Sequence, residues 1–249
     1  LKSEKIIYLT QFLIKLFSKQ RVFSIFFGIS VFGTIISFAF INVDFGDKSH
    51  RLFKDITIFI EYLTLHIFSI LLLLNYFERE KRGGIFIFPI SSGASREEYF
   101  FSLYISQITL LTMLFLAFVS TSSISILLFS IDVYFLVNLA CPFLSATLFS
   151  VIILALSQYI SPLKAIFYSI ILLFFGNGLD ELYFYSYHLK PNEDLQILYE
   201  VLSKIIPNFY IFDGENSPIK TLFHWSVQTL IFLILGLIKF RKKVLRVEN

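Results

Sequence analysis

The chain of 249 residues is short of charge: Asp, Glu, Lys and Arg make up 16% of it, where a soluble domain carries about 25%. With 56% of residues apolar and a mean hydropathy of +0.76, a disordered chain is excluded. An ordinary soluble globule is excluded as well, because it would expose aggregating apolar patches. Cysteine is nearly absent. Cys141 is alone, which rules out an internal disulfide framework and any multi-cysteine metal site. The net charge of +3 is small, and no basic stripe with interleaved aromatics appears, so nucleic acid is not an expected partner. There is no G-x-x-x-x-G-K-[ST] and no H-E-x-x-H, so neither a phosphate-cradling loop nor a metalloprotease helix is encoded. What remains is a polytopic membrane protein with the lipid bilayer as its solvent.

The spans follow from gaps between charges, since a membrane helix needs about 20 mostly apolar residues. The gaps are 22–41, 56–77, 99–131, 133–163, 165–179 and 221–238. They predict an all-α fold with six transmembrane helices. The fifth gap is short and reaches spanning length if 161–164 joins it and Lys164 snorkels to the interface. No cleavable signal peptide is expected before the first gap, and the opening at Leu1 rather than Met points to a few residues upstream.

Orientation comes from Lys and Arg. With six spans both termini share one side. Of the 21 Lys and Arg residues, only Lys48, Arg51, Lys54, Lys190, Lys204 and Lys220 fall on the other side. Both termini are therefore expected in the cytoplasm.

Two segments read as helices that do not span. In 1–21, Ile6, Leu9, Leu13, Leu16 and Phe17 recur at helical spacing with the lysines elsewhere, the pattern of an amphipathic helix on the cytoplasmic surface. In the outer segment 180–220, Leu198, Val201, Leu202, Ile205, Ile206 and Phe209 form a second apolar stripe. Tyr183, Tyr185, Tyr187 and His188 suit an interfacial aromatic belt. Gly176-Asn177-Gly178 reads as a helix break at the edge of that segment. The chain is expected to be a single membrane domain, 1–249.

Ionisable groups inside spans are functional candidates. Glu61 lies about 8 Å along the second span, and His66 about 140° around the axis from it. For Glu61 the bland reading is that it reaches the outer interface or pairs with another helix. The sharper one is a role inside the bundle. His66 and His224 read as satisfied bundle residues. Cys141-Pro142 reads as a buried small residue before a kink. Hydroxyls cluster at Ser120, Thr121, Ser122, Ser123 and Ser125; they tie helices together or line a polar pathway, for which Ser122 and Ser125 are the candidates. No catalytic residue, cofactor site or metal site is expected on this chain.

The richest segment is the cytoplasmic hairpin 78–98, Glu-Arg-Glu-Lys-Arg-Gly-Gly-Ile-Phe-Ile-Phe-Pro-Ile-Ser-Ser-Gly-Ala-Ser-Arg-Glu-Glu. A charged cluster and two glycines lead to an apolar run ended by Pro89. Ser95 and Glu98 then have capping-box spacing for a new helix, whose dipole the acids at its start oppose. An apolar knob on a charged hairpin suits docking into a groove of a soluble partner; a plain connecting loop is the alternative.

Glu80-x-x-x-Gly84, then Pro89-Ile90-Ser91, then Arg96-Glu97-Glu98-Tyr99 resembles the pattern between the second and third spans of type-two ATP-binding-cassette (ABC) exporter permeases. In that pattern an acid and Gly-Thr lead through an apolar stretch to Pro-x-Ser-Arg and an aromatic. Here Ile85 stands in place of the Thr, and extra residues around 92–94 separate the Pro from the Arg. The architecture is similar too: an amphipathic first helix, six spans, termini inside and a longer outer segment before the last span. The resemblance implies a permease in the cell membrane that pairs with a second permease subunit, as a homo- or heterodimer. It also implies cytoplasmic ABC ATPase subunits as partners, with ATP and Mg on them and no ATPase site on this chain. Contact with the ATPase is then expected at Glu78, Glu80, Gly83, Gly84, Pro89, Arg96 and Glu97. Within transport, a subunit for cofactor or cytochrome maturation shares this plan. From other classes there remain a polytopic membrane enzyme acting on lipid and a non-transporting anchor or assembly subunit.

Overall fold

A computed structural model describes residues 2–39, 49–81, 93–129, 134–189, 193–207, 209 and 217–242. Among them there is no strand. The helices are α1 (Lys2–Ser18), α2 (Arg21–Ala39), α3 (Ser49–Lys81), α4 (Arg96–Phe129), α5 (Tyr134–Leu156), α6 (Pro162–Asn177), the short α7 (Leu179–Phe184) with a π turn over Tyr185–Leu189, α8 (Glu193–Ile205) and α9 (Pro218–Lys242). Five helical stretches are long and apolar enough to cross a membrane, and a sixth joins them if α1 and α2, bent by 76° at their junction, count as one span.

The charge gaps explain the lengths. α3 and α4 have 33 and 34 residues, about 50 Å of helix, so they extend well past ~30 Å of hydrocarbon. α6 starts at Pro162 after an extended Ser161, where proline's missing N–H costs nothing, and so takes in 162–164 as anticipated. It ends at Asn177, where the glycines anticipate a break. Gly178 follows as a one-residue turn with φ −79°, its N–H bonding Phe174 O at 3.0 Å, and helix resumes at Leu179. Across this break the apolar stretch continues to Leu189.

α5 is the axis of the bundle and touches α3, α4, α6 and α9. Within it 83% of the span is buried, against 17% in α9. Pro142 sits inside α5 without ending it. α2 lies against α3 and α4, with Phe26 on Phe68 at 5.6 Å between ring centroids. In α1 the stripe Leu9, Leu13 and Phe17 is buried, and the helix rests on α4.

The same segments that carry most of the basic residues meet at one end. Lys5 Nζ donates to Gly93 O at 3.0 Å. Tyr99 stacks with Phe240 at 6.4 Å. Lys239 Nζ lies 5.5 Å from the centre of the Tyr159 ring. These contacts define the basic end of the bundle. At the opposite end Phe53 meets Phe135 at 5.8 Å, and Tyr183, Tyr187, His188 and Tyr199 form an aromatic cluster that joins the π turn to α8.

Candidate functional site

At the basic end, α4 opens with the capping box its spacing foretold. Ser95 N–H donates to Glu98 Oε2 at 2.7 Å, and Glu98 N–H donates to Ser95 Oγ at 3.2 Å. Two backbone donors that a helix start leaves open are thereby satisfied. One turn on, Ser102 Oγ lies 2.6 Å from Glu98 O and 3.2 Å from Ile6 O. Together with the Lys5–Gly93 bond, this clamps α1 to the start of α4. The close pair Tyr76 and Tyr99, 6.5 Å between centroids, holds the end of α3 beside it.

The hairpin residues fall around this junction. Glu78 is exposed near the end of α3, and Glu80 lies in its last turn. Arg96 and Glu97 form the first turn of α4, Arg96 exposed and Glu97 half-buried. Gly83, Gly84 and Pro89 lie outside the described residues.

The intramembrane candidates separate. Glu61 is fully buried, and neither carboxyl oxygen has a hydrogen-bond partner among the described residues. It is closed off from solvent, and no described group pairs with it. It shares a face of α3 with Thr57, Thr64 and Phe68. Phe68 touches α2, and a side chain on Gly33 would meet Ile60, so this face lies toward α2. The facing hydroxyls of α2, on Ser30, Thr34 and Ser37, bond carbonyls of their own helix at 2.9 to 3.1 Å. Thr57 Oγ1 is likewise buried and unpartnered.

In the Ser120–Ser125 cluster of α4 the described hydroxyl bonds run within the helix. Ser120, Thr121 and Ser123 bond carbonyls of their own helix. Ser122 is buried with no partner among the described residues. Ser125 lies in the same helix.

His66 is satisfied, as expected, and on the face away from Glu61. Its Nδ1 is 2.7 Å from Tyr62 O, and its Nε2 is 3.1 Å from Ser145 Oγ. A carbonyl only accepts, so Nδ1 carries the proton; in the neutral ring Nε2 then accepts from the Ser145 hydroxyl. Tyr62 Oη separately accepts from Asn177 Nδ2 at 3.1 Å. These bonds join α3 to α5 through His66 and α3 to α6 through Tyr62.

Ser145 is one of three hydroxyls on α5 that the sequence reading passed over. Ser150 Oγ donates to Gln107 Oε1 of α4 at 2.9 Å, and Trp225 Nε1–H of α9 donates to Thr147 Oγ1 at 2.9 Å. Each hydroxyl thus bonds a different neighbouring helix, in an apolar setting where such bonds hold helices together. The available signal was the set of polar groups inside charge-free runs: Gln107, Ser145, Thr147 and Ser150.

Among the described residues no group of three or more His, Cys, Asp and Glu side chains could hold a metal ion. No protein-family model, curated protein or solved structure matches the chain.

Proposed function

We propose that this chain is the membrane-spanning permease subunit of an ABC exporter in the cytoplasmic membrane, with both termini in the cytoplasm. In this reading the basic end faces the cytoplasm, following the excess of Lys and Arg there. The hairpin 78–98 receives a separate cytoplasmic ATPase, which carries ATP and Mg. Two permease subunits, identical or not, enclose the pathway. Closure of the ATPase pair pushes on the hairpin and changes which side of the membrane the pathway faces, a population shift between two arrangements of packed helices.

The observation that carries this reading is the residue pattern Glu80…Gly84…Pro89-Ile90-Ser91…Arg96-Glu97-Glu98-Tyr99 between two long apolar helices. The clamp of α1 onto the start of α4 supports it. A load applied at 78–98 would reach α1, α3 and α4 together through Lys5–Gly93, Ser102–Ile6 and Tyr76–Tyr99.

The test is copurification of the tagged chain from its native membrane. The expected outcome is an accompanying polypeptide with Walker motifs. It should be lost when Glu80→Lys and Arg96→Glu are combined, while insertion and yield of the permease are unchanged. Recovery without any ATPase, together with turnover of lipid by the purified chain, would overturn the proposal.

A further inference from the structure

At the end of the bundle opposite the basic end, a cleft of about 330 Å³ opens between α3, α5 and α6, with Phe209 closing one side. That volume lies near the lower bound of small-molecule sites, roughly 300–1,000 Å³, and has room for a head group and the first methylenes of a chain. Its polar lining comes from Asp55, Asn138, Asn177 and Tyr62. Its aromatic lining is Phe59, Tyr62 and Phe209.

The hydrogen-bond roles decide what this lining can recognise. Asn177 has two N–H donors. One goes to Tyr62 Oη at 3.1 Å and the other to its own helix at Leu173 O, 2.9 Å. Only the Asn177 carbonyl oxygen is left, and it is an acceptor. Tyr62 Oη thus already accepts one of the Asn177 bonds. Asp55 is a carboxylate, again acceptor only. Arg51 Nε is 3.8 Å away in a pair whose side chains are 86% and 65% exposed, so water screens that attraction and it is weak. Lys54 is the other cation on this turn of α3. Of the polar lining, only the Asn138 amide has N–H groups that these bonds do not engage. The cleft therefore presents the Asn177 carbonyl oxygen and the Asp55 carboxylate as acceptors, and Phe59, Tyr62 and Phe209 line it with aromatic rings, whose faces attract cations. It opens beside Phe59, 60% exposed on the apolar flank of α3, so a hydrocarbon tail can leave along the helix.

We infer that this cleft binds a cationic amphiphile, its ammonium on Asp55 and Asn177 and its chain along Phe59. Binding here does not depend on the transport reading: it requires no ATPase, and an ATPase partner requires no such site.

The probe is dodecylammonium, added to the purified full chain in dodecyl maltoside and followed by native mass spectrometry. One saturable adduct is expected. Asp55→Asn, a change at an exposed side chain, should weaken it on the order of tenfold by removing the ion pair. Asn138→Leu should weaken it too, and dodecyl sulfate should not displace it. Equal binding of dodecyl sulfate, or an affinity unchanged by Asp55→Asn in a protein with the parent's unfolding midpoint, would overturn the assignment. Loss of the adduct with retention of an ATPase partner would fault the cleft alone. The reverse result would fault the transport reading alone.

Discussion

Replacing Glu61 by Met should make this protein more stable. The carboxyl is fully buried, and neither oxygen finds a donor or acceptor among the described residues. A buried polar group without a partner costs about 1–3 kcal/mol. The reference state matters in a membrane, where unfolding separates helices that remain inserted. Glu61 lies only about 8 Å from the end of its apolar run, so on a separated helix its side chain can reach interfacial water. In the packed bundle it is fully covered. The penalty therefore falls on the folded state. Met has similar length and no polar group that demands a partner, so Glu61→Met should gain about 1–3 kcal/mol. A gain of 2 kcal/mol multiplies the folded-to-unfolded ratio by about 30. Glu61→Gln keeps two unmet polar atoms and should stay within about 0.5 kcal/mol of the parent. Unfolding in mixed dodecyl maltoside and dodecyl sulfate micelles gives the measurement. The single tryptophan, Trp225, reports it, because its N–H bonds Thr147 in the folded bundle. A loss of about 1 kcal/mol or more in Glu61→Met would refute the reasoning, since it would mean that the carboxyl has a partner in the folded protein. If stability rises while transport falls, Glu61 is kept for function at the expense of stability, a known trade-off.

Ser145→Ala leaves His66 Nε2 without its donor. It should cost about 2 kcal/mol in the same unfolding assay, and adding His66→Leu should return part of that loss; strict additivity of the two would show that they are not coupled. At Gly236 a Cβ would lie 2.8 Å from Phe100 Cζ and 3.1 Å from Ala155 Cα, so Gly236→Val should push α9 off α4 and α5. Overpacking of this kind costs about 1–3 kcal/mol, and the Trp225 emission of the folded state should shift as its bond to Thr147 is disturbed.

The capping box at Ser95 and Glu98 was readable from the sequence because it depends on four consecutive residues and their backbone. The helical stripe of α1 was readable because its apolar side chains recur with the helix period. The satisfied state of His66 could be expected, but its partner could not, because Ser145 lies on a helix distant in the chain. For Glu61 the sequence left open whether the carboxyl finds a partner or an exit to water. Whether a carboxyl six residues into a span can reach water depends on what covers it, and the packed helices bury this one with no partner among the described residues.

By itself the sequence determined that the chain is helical, where the membrane-length stretches lie and which segments share the basic end. Those properties follow from where charge is absent, and the cost of a charge in hydrocarbon is set locally. The tertiary structure alone decided which faces are inside. α5 and α9 have similar hydropathies, 2.3 and 1.8, yet one is the buried axis and the other lies on the rim. In a soluble protein, apolar faces turn inward because water is outside. In a bilayer the solvent is as apolar as the core, so hydrophobicity does not distinguish a lipid-facing side chain from a packed one. Packing and a few hydroxyl bonds make that distinction, and both appear only when the helices are brought together.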